Sequence, residues 1–274
     1  MRTRASRHRQ VALATADGGK DELLAVRKMA VAYGQVVAVR QVDLEIHTGE
    51  CVALLGANGA GKSSLLHGVV GLERPRTGAV HYCGQDVSRL GPEKKVHLGL
   101  VLVPERRQVF SSLSVRDNLM LGAYGRRRGP EVDADLGRVH DLFPVLADRA
   151  AQHAGTLSGG EQQMLALGRG LMSRPRLLLV DEPSLGLAPV IVDDMISALR
   201  ALRETGLAIL LVEQNSRVAV SVADHLMIME NGVVVAEGPP HDVVTDERLV
   251  SAYLGGGEAP PTSRERNDNP REAQ

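Results

Sequence analysis

The segment Cys51-Val52-Ala53-Leu54-Leu55-Gly56-Ala57-Asn58-Gly59-Ala60-Gly61-Lys62-Ser63-Ser64-Leu65-Leu66 decides the fold. Its first five residues are an unbroken apolar run, the pattern of a parallel strand covered on both faces. Its last residues open a helix. Between them, Gly56 to Ser63 matches G-x-x-x-x-G-K-[ST] at every fixed position, with the strand before and the helix after that a phosphate-binding loop requires. The residue types follow from the chemistry. Glycines let the backbone N–H groups of Gly56, Ala57, Asn58, Gly59, Ala60 and Gly61 curl around a phosphate without a Cβ in the way. The helix N-terminus adds unpaired N–H groups and the positive end of its dipole. Lys62 is placed to reach the β- and γ-phosphates of a nucleotide, Ser63 to offer its hydroxyl oxygen to Mg²⁺, and Ser64 to complete the cradle.

Outward from this segment the chain alternates short apolar runs with helical patterns. The runs at 51–55, 100–103, 177–180 and 208–212 are continuous, and helical stretches at about 61–71, 160–173 and 189–203 lie between them. Strands joined through helices mean an α/β, doubly wound and mostly parallel sheet. Ahead of the first run, 24–33 and 42–47 read as antiparallel strands with a turn at Gly34. Residues 226–238 read as a hairpin with Asn231-Gly232 in its two-residue turn. No internal repeat is visible, which excludes two copies of one unit in the chain.

Composition narrows the function classes. The 274 residues carry 32 Lys+Arg against 33 Asp+Glu, so the basic excess of a nucleic-acid-wrapping protein is missing. Aromatics are 2% of the chain, too few to build stacking platforms for single-stranded bases. The two cysteines, Cys51 and Cys83, sit in separate strand-like runs, which disfavours a disulfide scaffold and points to a reducing compartment. No apolar stretch reaches the roughly 18 residues of a membrane span. Residues 1–22 and 257–274 are polar and rich in Gly, Pro, Ser or Arg, and are expected to be flexible extensions flanking one domain over 23–256.

Two further motifs give the loop its chemistry. The run Leu177-Leu178-Leu179-Val180 delivers Asp181 and Glu182 at its C-terminal end, the edge where open α/β sheets bind ligands. Asp181 suits Mg²⁺, and Glu182 suits the general base that takes a proton from an attacking water. Leu157-Ser158-Gly159-Gly160-Glu161-Gln162-Gln163 contains an S-x-x-E capping box opening a helix, and its two glycines leave that N-terminus bare to a phosphate.

LSGGEQQ upstream of the carboxylate-ended strand, with GANGAGKS further upstream, resembles the ATPase cassette of the ABC-transporter family over about residues 24–256. The resemblance implies an ATP- and Mg²⁺-dependent ATP hydrolase whose mixed sheet carries an antiparallel β subdomain and a helical subdomain over about 108–160. It implies that Ser158, Gly159 and Gly160 of one cassette cover the γ-phosphate held by a second ATPase subunit. Tyr33 stands where the family places an aromatic on adenine, a contact contributing about 1–3 kcal/mol. The family's glutamine after the 100–103 strand is replaced by Pro104-Glu105, so Glu105 becomes the Mg²⁺ or metal-water ligand. Its γ-phosphate histidine is replaced by Gln214, which can donate a hydrogen bond but carries no proton charge.

VPERRQVF, EPSLGLAP, LLVEQN and AYLGG together resemble the ATPase subunits of bacterial branched-chain amino acid uptake systems, with the urea-uptake ATPases close beside them. That resemblance implies two transmembrane permease subunits, indirectly an extracytoplasmic solute-binding protein, and a peripheral position on the cytoplasmic face of the bacterial inner membrane. A clamp ATPase of DNA repair is disfavoured because no sustained heptads separate Gly61 from Ser158. Gln214 and SLGLAP likewise disfavour a lipopolysaccharide-export cassette.

Overall fold

In a computed structural model, residues 21–245 are described. The extensions expected at the two ends lie almost wholly outside those residues. Glu22 already begins a strand and pairs with His47.

Two sheets form the frame. The first is antiparallel, in the order β2-β1-β4-β5, from β1 (Glu22–Tyr33), β2 (Val36–His47), β4 (Thr77–Tyr82) and β5 (Gln85–Asp86). The β1–β2 hairpin turns at Gly34, which takes φ +60°. β2 starts six residues before the expected strand, because pairing with β1 continues up to the turn, where Tyr33 faces Val36. The second sheet has six strands in the order β10-β9-β3-β8-β7-β6. They are β3 (Cys51–Leu55), β6 (Leu100–Val103), β7 (Leu177–Asp181), β8 (Ala208–Glu213), β9 (His225–Glu230) and β10 (Val233–Gly238). β6, β7, β8, β3 and β9 run parallel, and β10 returns antiparallel through Asn231-Gly232. Positive φ at both turn residues, +47° and +85°, suits the right-handed twist of the flanking strands.

The unbroken apolar runs are explained by the two cores they separate. Val52 and Leu54, Leu177 and Leu179, and Leu210 and Val212 face one core with α1 (Lys62–Val70) and the antiparallel sheet. Ala53 and Leu55, Leu178 and Val180, and Ile209 and Leu211 face the other, with α6 (Gly159–Leu171), α7 (Pro189–Glu204) and α8 (Ser216–Val222). Alternate residues therefore go to opposite faces and both faces are dry.

Between β6 and β7 the chain is mainly helical: α3 (Val115–Gly122), α4 (Pro130–Leu142), α5 (Pro144–Asp148) and a 3₁₀ turn at Ala154–Thr156, then α6, with one isolated antiparallel bridge between Ser114 and His153. Ser114 caps α3 by accepting from the Asp117 amide at 3.0 Å. Two short helices remain among the described residues: α2 (Pro92–His97) precedes β6 and α9 (Pro240–Thr245) follows β10.

Candidate nucleotide site

The loop between β3 and α1 is framed by chain far from it in sequence. A Cβ on Gly56 would lie 2.4 Å from the Met229 carbonyl oxygen of β9, and one on Gly61 would lie 2.3 Å from the Ala38 oxygen of β2. Gly61, at φ +106°, is the N-cap of α1 and makes no side-chain cap, so the first N–H groups of the helix stay available. The hairpin turn locks the frame. Gly232 N donates to Ala60 O at 2.9 Å, and Arg40 N of β2 donates to Gly232 O at 2.7 Å. The fixed glycines thus answer to protein packing as well as to the room a phosphate needs.

Lys62 is 4% exposed. Its Nζ donates to Gly56 O at 2.7 Å and Ala57 O at 3.1 Å, and it forms a buried ion pair with Glu182 Oε1 at 2.9 Å. Glu182 follows directly on β7 with φ +44°, an uncommon backbone state for a residue with a side chain. Its amide is held by Val212 O at 2.8 Å, and its carbonyl accepts from Leu185 N at 3.2 Å. Strain of this kind, about 1–3 kcal/mol, persists only where surrounding contacts over-determine it.

Asp181, the last residue of β7, is buried, and its Oδ1 has no hydrogen-bond partner. Burial pushes its carboxyl above the usual range. The Ser63 hydroxyl, hydrogen-bonded to it, opposes that shift, while the charges of Glu182 and Glu105 reinforce it. A buried acceptor without a donor, beside the hydroxyl that opens α1, suits a divalent cation finished by phosphate oxygens and water. Among the described residues no three His, Cys, Asp or Glu side chains gather to hold a metal by themselves. Glu105 lies exposed in the loop after β6, close enough to act electrostatically on Asp181.

The signature segment has its own local order. Ser158 caps α6 with a reciprocal box: it accepts from Glu161 N at 3.3 Å, and its own amide donates to Glu161 Oε2 at 2.7 Å. A Cβ on Gly159 would come 3.0 Å from the Arg107 guanidinium, and one on Gly160 would come 2.6 Å from Ile191. The hydrogen bonds of Ser158 all stay within the start of α6. The chain brings Lys62, Ser63, Asp181 and Glu182 together, and none of the hydrogen bonds of Ser158 joins it to them. Tyr33 is 41% exposed at the end of β1, on the hairpin whose Ala38 packs against Gly61. Gln214 is exposed immediately after β8.

Sequence reasoning missed one buried acid here. Glu213, the last residue of β8, is 1% exposed and accepts from Ser184 N at 3.1 Å, Ser184 Oγ at 2.9 Å and Asn215 N at 3.2 Å. Burial raises its pKa, these donors oppose the rise, and Glu182 adds to it. The one available signal was an acid ending an apolar run, as Asp181 does.

The sequence profile described as ABC transporter matches residues 39–185. The high-affinity branched-chain amino acid transport ATP-binding protein BraG of Pseudomonas aeruginosa is 42% identical over 85% of this chain and 100% of that protein. The probable branched-chain amino acid transport ATP-binding protein LivF of Archaeoglobus fulgidus is 32% identical over 85% of this chain and 99% of its own length. The lipopolysaccharide export system ATP-binding protein LptB of Acidithiobacillus ferridurans is 31% identical over 85% and 97%. Among solved structures, the ADP conformation of MJ1267, an ATP-binding cassette of an ABC transporter, superposes with a TM-score of 0.77 at 25% identity, covering 86% of this chain and 99% of that one.

Proposed function

We propose, from the premise that this chain belongs to the ABC transporter family, that it is the ATP-hydrolysing subunit of a branched-chain amino acid importer. The observation that carries the chemistry is the buried cluster at the mouth of the phosphate loop, where Lys62 is paired with Glu182 and Asp181 keeps an unpartnered oxygen beside Ser63. The solute class rests on the 42% identity to BraG across that protein's whole length, against 31% to LptB.

Binding and chemistry follow from the same contacts. The triphosphate settles into the loop amides and exchanges with Glu182 for the Lys62 ammonium. Tyr33 offers its ring to the adenine. Bound Mg²⁺, held by Ser63 and Asp181 with Glu105 reached directly or through water, would offset the charge on the β- and γ-phosphates. Glu182, released from Lys62, accepts a proton from the water that attacks the γ-phosphorus, and ADP leaves with the bridging oxygen. Gln214 donates a hydrogen bond to the γ-phosphate. Ser158, Gly159 and Gly160 serve the loop of a second cassette, as the resemblance to the family implies.

Coupling requires membrane partners. No helix among the described residues is long and apolar enough to cross a membrane; in this reading the permeases are separate subunits. A cleft of about 410 Å³ between β6, α3 and α6 is edged by the exposed side chains of Phe110, Leu121 and Tyr124, an apolar seat for a cytoplasmic segment of a permease. The cassette then sits peripherally on the cytoplasmic face of the membrane, served indirectly by an extracytoplasmic solute-binding protein.

The test is transport and ATPase activity of the complex that co-purifies with the full chain. Permeases that import leucine, isoleucine or valine, with activity abolished by Lys62→Ala, are expected. Import of urea would correct the solute class, and undiminished ATPase activity in Lys62→Ala would overturn the site.

A further inference from the structure

Three donors on two different loops converge on one buried carboxylate. Ser184 contributes its amide and its hydroxyl from the segment just after Glu182, and Asn215 contributes its amide from the segment carrying Gln214. An ionised carboxylate is an acceptor at both oxygens, so Glu213 can take all three bonds, whereas a glutamine must turn an NH₂ toward one of the donors. The backbone of Glu182 needs such support. It holds φ +44°, and the chain turns at once through Pro183 into Ser184. Val212 O secures the amide of Glu182 on the strand side, and Glu213 secures Ser184 on the loop side. Glu213 itself is 1% exposed, so the nucleotide does not reach it.

We propose that Glu213 is a positioning residue for hydrolysis, tying the loop after Glu182 to the loop bearing Gln214 so that base and γ-phosphate donor are set as one unit. This rests on the reading of Glu182 as the base. Glu213 touches neither phosphate nor water in this account, and it acts through Ser184 and Asn215. Its loss is therefore read in the chemical step and not in nucleotide affinity.

The experiment is single-turnover hydrolysis and MgATP binding by the full chain in its assembled complex. Glu213→Gln is expected to slow hydrolysis by about 10²-fold, the scale of a small misplacement of a reacting group, with MgATP affinity unchanged. Ser184→Ala should slow hydrolysis in the same direction, Ser184→Thr should restore it, and Glu213→Gln combined with Ser184→Ala should be no slower than Glu213→Gln alone. The Ser184 pair decides the matter if Glu213→Gln does not fold. Wild-type hydrolysis in Glu213→Gln, multiplying effects in the double variant, or affinity and thermal stability falling together with the rate would each overturn the proposal. Glu182→Gln run alongside separates the two readings. If it too hydrolyses at the wild-type rate, the assignment of the base fails first.

Discussion

Replacing Glu182 with glutamine tests the site through three quantities with different signs. Hydrolysis should fall by about 10²–10⁴-fold, the usual loss with a general base. At 1.36 kcal/mol per tenfold this is about 2.7–5.4 kcal/mol on the barrier. Stability should change far less. Lys62 keeps its bonds to Gly56 O and Ala57 O, and the glutamine oxygen can still accept from it at the position of Oε1. The loss is that of a charged acceptor exchanged for a neutral one, on the order of 1 kcal/mol, or about 2–4 °C in Tm at this size. Nucleotide binding should move the other way. The phosphates must take Lys62 from Glu182, so weakening that pair by about 1 kcal/mol tightens MgATP binding by up to about fivefold. The assay is single-turnover hydrolysis in the reconstituted complex, with MgATP affinity and Tm measured on the same preparation. Hydrolysis at the wild-type rate would refute Glu182 as the base. Clearly weaker MgATP binding would refute the competition between carboxylate and phosphate for Lys62.

Three other outcomes are expected. Mixing a Ser158→Arg chain with a Lys62→Ala chain should rebuild one complete site if the protein pairs with itself, and activity proportional to either variant alone would sink the arrangement in trans. Gly232→Ala places a Cβ 2.7 Å from Ala38 O at φ +85°, so it should weaken MgATP binding without touching the nucleotide and lower stability by about 1–3 kcal/mol; unchanged affinity would show that the hairpin does not brace the loop. Lys95, 1% exposed with Nζ donating to Val69 O near the end of α1, is held down to about 8 by burial against its usual 10.5, with Asp86 working the other way. Between those values the folded chain has shed a proton that the unfolded chain keeps, so stability rises with pH across the window. Thermal melts of wild type and Lys95→Met should therefore converge or cross in favour of wild type from pH 8 to 10.5, and a constant difference would refute the burial effect.

The parts legible in the sequence are those whose signal is local. CVALL forms β3 residue for residue because every position is buried on a sheet covered on both sides, and Asn231-Gly232 turns because both residues tolerate positive φ. Ser158 and Glu161 cap each other within one turn of helix. Long-range facts were out of reach. Asp135 on α4 has the spacing of a solvated charge, yet it is buried against Arg126, Arg138 and Arg174. Lys95 similarly sits among charges in PEKKVH, and only the fold aims it at α1. Glu213 ends the run AILLVE as a strand's polar terminus would, and its burial depends on loops that the run does not contain. The phosphate loop announced itself by its glycines, but the carbonyls that forbid a side chain at Gly56 and Gly61 come from β9 and β2.

That frame bears on how the protein is made. A nascent chain leaves the ribosome N-terminus first, at about 5–20 residues per second. The loop from Gly56 to Ser63 is outside long before Met229 and Gly232, which close it from the far end of the domain. The frame of the loop is completed only when the β9–β10 hairpin arrives, so the loop is braced late, after most of the domain has been made.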